Sequence, residues 1–264
     1  MTSIKKLSIL ALFLLVIGAV GCLFTFSQVT NMGVNKEIKS IADEVAEVEV
    51  ISDNAAVEII PTADTKTSVE LLSKGVDVSQ LSFSADVKGK KLKVILKDQR
   101  SFRIGLQIQS IVLKMYVPEK LYKSFSVKND NGKVQMAELD IKSLNVQSQN
   151  GRVELNDIKS EKVEVKLANG EIDLNNVEGN LIGSSNNGKI SLVTKDLDQN
   201  IHLESDNGRI AIKTDREPTN ATFDVHVDNG KIDILNKYNG NAVIGKGENL
   251  VKLETNNGNI KVTK

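Results

Sequence analysis

Two histidines, His202 and His226, and one cysteine, Cys22, are all that 264 residues offer for imidazole or thiol chemistry. Each histidine alternates with apolar neighbours, in "IHL" and "VHV", so both side chains are expected on the solvent side of strands. They stand at different offsets from the nearest glycine, which predicts no metal pair, and nothing calls for a cofactor. A single cysteine excludes an intrachain disulfide framework and a zinc cluster built from cysteines. Ser-His-Asp, Cys-His and phosphate-cradling glycine motifs have no recognisable context, and the calcium-roll nonapeptide is absent. Carboxylates remain. Glu154, Asp173 and Asp233 each lie three residues after a glycine, and clustered acids on a β-helix can cleave polysaccharide. The same column holds Gln135, Ser191, Ala211 and Lys261, a mixture that reads as solvated charge rather than an acid pair.

The glycines that set this count belong to one recurring phrase: Asn131-Gly132, Asn150-Gly151, Asn169-Gly170, Asn187-Gly188, Asn207-Gly208, Asn229-Gly230 and Asn257-Gly258. The steps between glycines are 19, 19, 18, 20, 22 and 28 residues, a period that signals stacked repeats. The residue after the glycine is basic in five of them, Lys133, Arg152, Lys189, Arg209 and Lys231. Stacking would bring these cations to one corner, where they could meet an anionic cell-wall polymer, lipid headgroups or an acidic protein surface. Lysines at a strand border also block edge pairing, which is the competing role.

Two places after the glycines stand Val134, Val153, Ile172, Ile190, Ile210, Ile232 and Ile260; four places after stand Met136, Leu155, Leu174, Leu192, Ile212, Ile234 and Val262. Seven places before stand Phe125, Leu144, Val163, Leu181, Ile201, Phe223 and Val251, with polar residues between the columns. This period-two alternation predicts two strands per repeat with one face inward. Asn-Gly supplies the positive-φ backbone of the bend between them. An antiparallel meander of hairpins fits the same alternation. Extra apolar residues at Leu139, Ile158 and Val177, suited to a further corner, favour an all-β, single-domain parallel β-solenoid, a β-helix-like stack of 19–20-residue Asn-Gly repeats. Upstream, "SDNAAVEI" matches "SDNGRIAI" with Ala55 in place of glycine, a degenerate first repeat. Residues 60–120 lose the period and read as an irregular capping part, and 121–264 as regular repeats, within one domain spanning 47–264.

Residues 7–26, "LSILALFLLVIGAVGCLFTF", carry no charge and follow Lys5 and Lys6. Twenty residues at about 1.5 Å each cover a bilayer of about 30 Å, which predicts an N-terminal transmembrane helix within 1–27. The charge bias places the N-terminus in the cytoplasm and the C-terminal domain outside, in a single pass of the cell membrane, with 28–46 as a spacer. A cleaved signal peptide and lipidation of Cys22 in "AVGC" are the competing readings. Lysine plus arginine equals aspartate plus glutamate at 34 each, and aromatics are 4% with no tryptophan. This balance argues against nucleic-acid binding and against stacking platforms for bases or sugars.

The "IGAVGCLFTF" segment, the "VEVISDNAAVEIIP" entry, the "VLKMYVPEKLYKSFSVKNDNGKV" passage and the Asn-Gly repeats together resemble a bacterial β-strand-repeat family of unknown function. That family bears the name adhesin and includes LiaG-like proteins of Gram-positive cell envelopes. The resemblance implies an envelope-anchored β-repeat domain, often encoded beside envelope-stress systems, with no established catalytic residues. The expected function is therefore a non-enzymatic adhesion or interaction scaffold, or an accessory of an envelope-stress sensor. A carbohydrate-active β-helix enzyme acting on wall polysaccharide is the alternative.

Overall fold

The computed structural model describes residues 11, 13–19, 33–76, 78–99 and 110–264. The expected membrane-spanning helix is overturned: among the described residues of 7–26, residues 11 and 13–19 are helical, and no helix is long and apolar enough to cross a membrane. The rest of that segment, Cys22 included, lies outside the described residues.

Among the described residues, fourteen strands form one continuous sheet. In chain order they are β1 (Val34–Ile41), β2 (Glu47–Asn54), β3 (Ala56–Thr62), β4 (Thr67–Lys74), β5 (Leu81–Lys88), β6 (Lys91–Asp98) and β7 (Ser110–Pro118), then β8 (Leu121–Thr194), a path of 74 extended residues wound through several corners. They continue as β9 (Ile201–Thr214), β10 (Ala221–Asn229), β11 (Ile232–Ile234), β12 (Ala242–Ile244), β13 (Asn249–Asn257) and β14 (Ile260–Thr263). Repeats stack in parallel, Leu181 beside Ile201 and Ile190 beside Ile210. On the flank preceding the glycines the order runs β5, β6, β2, β8, β9, β13, β10, β12; on the flank following them it runs β1, β4, β7, β3, β8, β9, β14, β11.

The purely parallel solenoid is corrected by the ends of these flanks. β1 with β4, β4 with β7, β5 with β6, and β10 with β12 are all antiparallel, so the fold is an all-β mixed sheet. The irregular stretch 60–120 supplies most of these strands because its hairpins let the chain reverse. Gly89, with φ +63°, opens the two-residue turn joining β5 to β6, as a II′-type turn requires. Residues 34–41, expected within a spacer, form β1 against β4.

Chain order and spatial order also part company. After β9 the chain skips one place to lay down β10 and β11, then returns as β13 and β14 to fill the gap, so β13 lies between β9 and β10. Spacing alone had implied consecutive neighbours.

The predicted inward columns line the interior. Val134, Val153, Ile172, Ile190, Ile210 and Ile260 are at most 1% exposed, as are Phe125, Leu144, Val163, Leu181, Ile201, Phe223 and Val251. Ile232, near the end of the stack, is partly buried. Leu139, Ile158 and Val177 fill a further corner, each following a non-glycine residue in the left-handed region, Glu138, Asp157 and Asn176 at φ 51–54°.

Glycine is demanded by contact between successive corners. A Cβ on Gly170 would lie 1.8 Å from the carbonyl oxygen of Gly151, and one on Gly208 1.6 Å from that of Gly188. The column runs Ala55, Gly132, Gly151, Gly170, Gly188, Gly208, Gly258, Gly230. Ala55 is its first member and is not in the left-handed region. The asparagines do something other than bend: Asn131, Asn150, Asn169, Asn187, Asn207, Asn257 and Asn229 each donate Nδ2 to the Oδ1 of the preceding corner's asparagine, starting from Asn54, at 2.7–3.1 Å.

Tyr122, fully buried, meets Phe125 edge to face at 4.9 Å between ring centroids, and its hydroxyl donates to the Pro118 carbonyl at 3.0 Å. Burial pushes this phenol up to about 12.

Two outcomes are expected from unfolding titrations. Gly170→Ala, blocked by backbone and held at φ +134°, should cost about 4 kcal/mol or more, whereas Gly89→Ala, with open space around it, should cost about 1 kcal/mol. The raised Tyr122 value means that its neutral form contributes stability fully present below about pH 10, the ordinary phenol value. That contribution is lost as pH rises toward about 12, so the wild-type midpoint should fall over this window more than that of Tyr122→Phe.

Candidate functional site

Alternation decides which side chains reach solvent. In the strand before each glycine, positions seven, five and three before it face the interior, and positions six, four and two before it face outward. Because the glycines stack, equal offsets become lateral rows. One outward row reads Lys128, Gln147, Lys166, Ser184, Glu204, Glu254, His226; another reads Asp130, Gln149, Ala168, Asn186, Asp206, Asn256, Asp228. The small Ala168 and Ser184 leave an open groove of about 630 Å³ between longer neighbours, walled by Lys128, Asp130, Gln147, Gln149, Lys166 and Asn186. Gln149 Nε2 donates to Asp130 Oδ1 at 2.9 Å and steadies that wall.

A buried column of small polar side chains starts beneath the groove and continues past its end under β9 and β13. Asn129 donates to the carbonyls of Ala55 and Asn131 at 3.2 and 3.1 Å, Ser205 to that of Gly188 at 3.2 Å, and Thr255 to that of Gly208 at 3.3 Å. The Oδ1 of Asn129 and the Oγ of Ser148, both under the groove, have no hydrogen-bond partner among the described residues.

The basic column is only partly brought together. Lys133 pairs with Glu154 at 2.7 Å, and Arg152 is enclosed by Glu154, Glu171 and Asp173. Lys189 and Arg209 are in register, and neither has a carboxylate partner within 4 Å among the described residues. Lys231 is set apart, because β14 inserts Asn259 between it and Arg209 and its backbone N–H donates to Asn259 Oδ1 at 3.0 Å. Of the acidic column, Glu154 and Asp173 both lie on Arg152, while Asp233 stands at the far end near Lys261, 3.9 Å away. A general acid at neutral pH needs a raised carboxyl. Every described carboxyl with a resolved shift is lowered instead, by a neighbouring lysine first in each case.

The histidines, separate in the sequence, end on either side of Glu254. His202 Nε2 lies 3.4 Å from Glu254 Oε2, and His226 is the register partner of Glu254 on β10, turned toward Asp228 at 2.9 Å. Glu204 stands beside Glu254 in register, and one donor atom each from His202, Glu204 and Glu254 falls within 4.8 Å of the others. Lys252 reaches Glu254 at 2.9 Å and, ahead of His202, holds its carboxyl below the ordinary range. Sequence spacing missed this cluster. Glu204 and Glu254 share an offset four residues before their glycines, but β9 and β13 become neighbours only through the chain's return.

The model of the Toastrack DUF4097 family matches residues 45–178 and 122–263. A solved "putative adhesin" from Bacteroides fragilis is 16% identical over 86% of this chain and 97% of that one, with a TM-score of 0.51, a likeness of fold. A "putative cell adhesion protein" from Clostridium sporogenes is 14% identical over 88% of this chain and 99% of that one, TM-score 0.41. A "putative lipid binding protein" from Parabacteroides distasonis is 14% identical over 86% and 97%, TM-score 0.42. Curated proteins give no match.

The asparagine ladder beside the groove is open to test. Asn169 both donates to Asn150 and accepts from Asn187, at 3.0 Å each. Asn169→Asp should cost about 1–2 kcal/mol at pH 7, where the carboxylate faces the Asn150 oxygen with no proton to give. The loss should shrink near pH 3, where the protonated acid donates again, and urea midpoints at the two pH values check it.

Proposed function

This chain belongs to the Toastrack DUF4097 family, and from that premise we propose that it is a non-enzymatic, adhesin-like module binding a hydroxyl-rich polymer along its outward polar rows. The carrying observation is the open groove of about 630 Å³ that crosses successive repeats and is lined by amides, hydroxyls and isolated charges. Such a surface offers a donor or acceptor at each repeat step of about 4.8 Å, which suits a chain of hydroxyls better than one small molecule. Hydrogen bonds exchanged with water are individually weak, so affinity comes from several repeats acting together on a pre-organised surface. The stacked glycines and the amide ladder supply that rigidity.

An anionic polymer is the second reading, and the register of Lys189 beside Arg209 supports it. Lys133 and Arg152 add less, since their charge is already met by Glu154, Glu171 and Asp173. No feature of the described residues argues for a role in envelope-stress signalling or for a sensor-protein partner.

Retention on isolated cell-surface polysaccharide separates the two readings. The combined Gln147→Ala, Gln149→Ala and Asn186→Ala variant should bind about 10-fold more weakly with an unchanged unfolding midpoint. Wild-type retention by that variant, together with salt-sensitive loss in Lys189→Glu/Arg209→Glu, would replace the groove with the basic pair.

A further inference from the structure

Glu204 and Glu254 lie directly opposite one another on adjacent strands. Like charges in that position are destabilising. Lys252 forms its ion pair with Glu254 and acts on Glu204 only from a distance, and among the described residues Glu204 has no cationic partner within 4 Å. The third group in the cluster is an imidazole, His202, with Nε2 toward Glu254. Two carboxylates and a ring nitrogen with donor atoms within 4.8 Å of one another approach the span that ligands at about 2.0–2.2 Å from a common ion require.

We propose that His202, Glu204 and Glu254 form a surface site for a borderline divalent transition-metal ion, with Zn²⁺ as the representative. The donor set selects the class. Calcium and magnesium take six or more oxygens or retain most of their water, whereas an imidazole with two carboxylates suits zinc, cobalt, nickel or copper. Parallel backbone ladders fix the spacing of the three residues before any ion arrives. Two of the three side chains are half-buried and Glu204 is exposed, so coordination positions stay open to solvent.

Lys252 is the competitor. Its ammonium occupies Glu254 Oε2 at 2.9 Å, the atom that also faces His202. An entering ion must displace it, so Lys252 weakens the site and sets its selectivity for ions that bind imidazole well. In register, Ser184 borders Glu204, which places the site at one end of the polar groove. The site itself rests only on the three donors and stands whether or not the groove holds a polymer.

Isothermal titration of the full chain with Zn²⁺ alone, with Ca²⁺ and Mg²⁺ as comparators, tests the inference. One equivalent of Zn²⁺ per chain should bind, with no saturable Ca²⁺ or Mg²⁺ binding under the same conditions. His202→Ala and Glu254→Gln should each weaken it by more than about 10-fold while circular dichroism stays unchanged, the size of effect seen even for outer ligand partners. Lys252→Met should tighten it, an outcome that mere structural damage would not produce. His226→Ala, altering a ring that faces Asp228 instead, should retain binding. Absence of saturable Zn²⁺ binding, undiminished binding in His202→Ala and Glu254→Gln, or weaker binding in Lys252→Met would each overturn the assignment.

Discussion

Where each repeat passes over the one before it, the corner leaves no room for a β-carbon. A Cβ on Gly151, Gly170, Gly188, Gly208, Gly230 or Gly258 would stand 1.6–1.9 Å from the carbonyl oxygen of the neighbouring corner. Backbone packed that closely sets the lateral register of everything on either side. Residues at equal distance from their glycines become neighbours, so apolar positions pile into interior columns and polar positions into outward rows. The groove, the basic pair and the histidine–glutamate cluster are all consequences of that shared register.

The amide ladder runs alongside this column and has a direction. Every side chain donates its Nδ2 toward the β2 end, and the last donor, Asn54, donates a hydrogen bond to Asp98 Oδ2 at 3.3 Å. Amide dipoles aligned in series polarise one another, and a carboxylate at the end toward which the N–H groups point is the favourable terminus. On the inner side, Ser205 and Thr255 hydroxyls reach the carbonyls of Gly188 and Gly208. The corner is thus hydrogen-bonded on both faces, and that is why it stays rigid without a disulfide.

Stacking in parallel leaves two open ends, and a bare strand edge invites pairing with another chain. At one end the antiparallel strands β1, β4 and β5 cover the repeats, with the charged pair Lys36–Glu70 at 2.7 Å joining β1 to β4, and Lys91–Glu49 at 2.5 Å joining the neighbouring parallel strands β6 and β2. At the other, the short β12 folds back on β10, and β11 closes on Tyr238 through an isolated bridge. The family likeness fits this division, since one match of its model, 45–178, takes in the irregular stretch with the first repeats and the other, 122–263, takes in the repeats.

Much of the interior was legible from the chain alone. Columns such as Val153, Leu155 and Val163 could be placed inward because the alternation of a strand is a local property, visible within a few residues. The need for glycine was legible too, although its main cause, a carbonyl of another repeat, was not. Strand direction in the cap was hidden, because antiparallel and parallel pairs present the same alternation. The insertion of β13 between β9 and β10 was equally hidden, and with it both the separation of Lys231 from Arg209 and the meeting of His202 with Glu254. Sequence by itself determined which face of each strand is dry and where the chain must bend, since both depend on the residue and its near neighbours. Tertiary structure alone decided which strand lies beside which, because that choice rests on hydrogen bonds between backbones that are alike at every position.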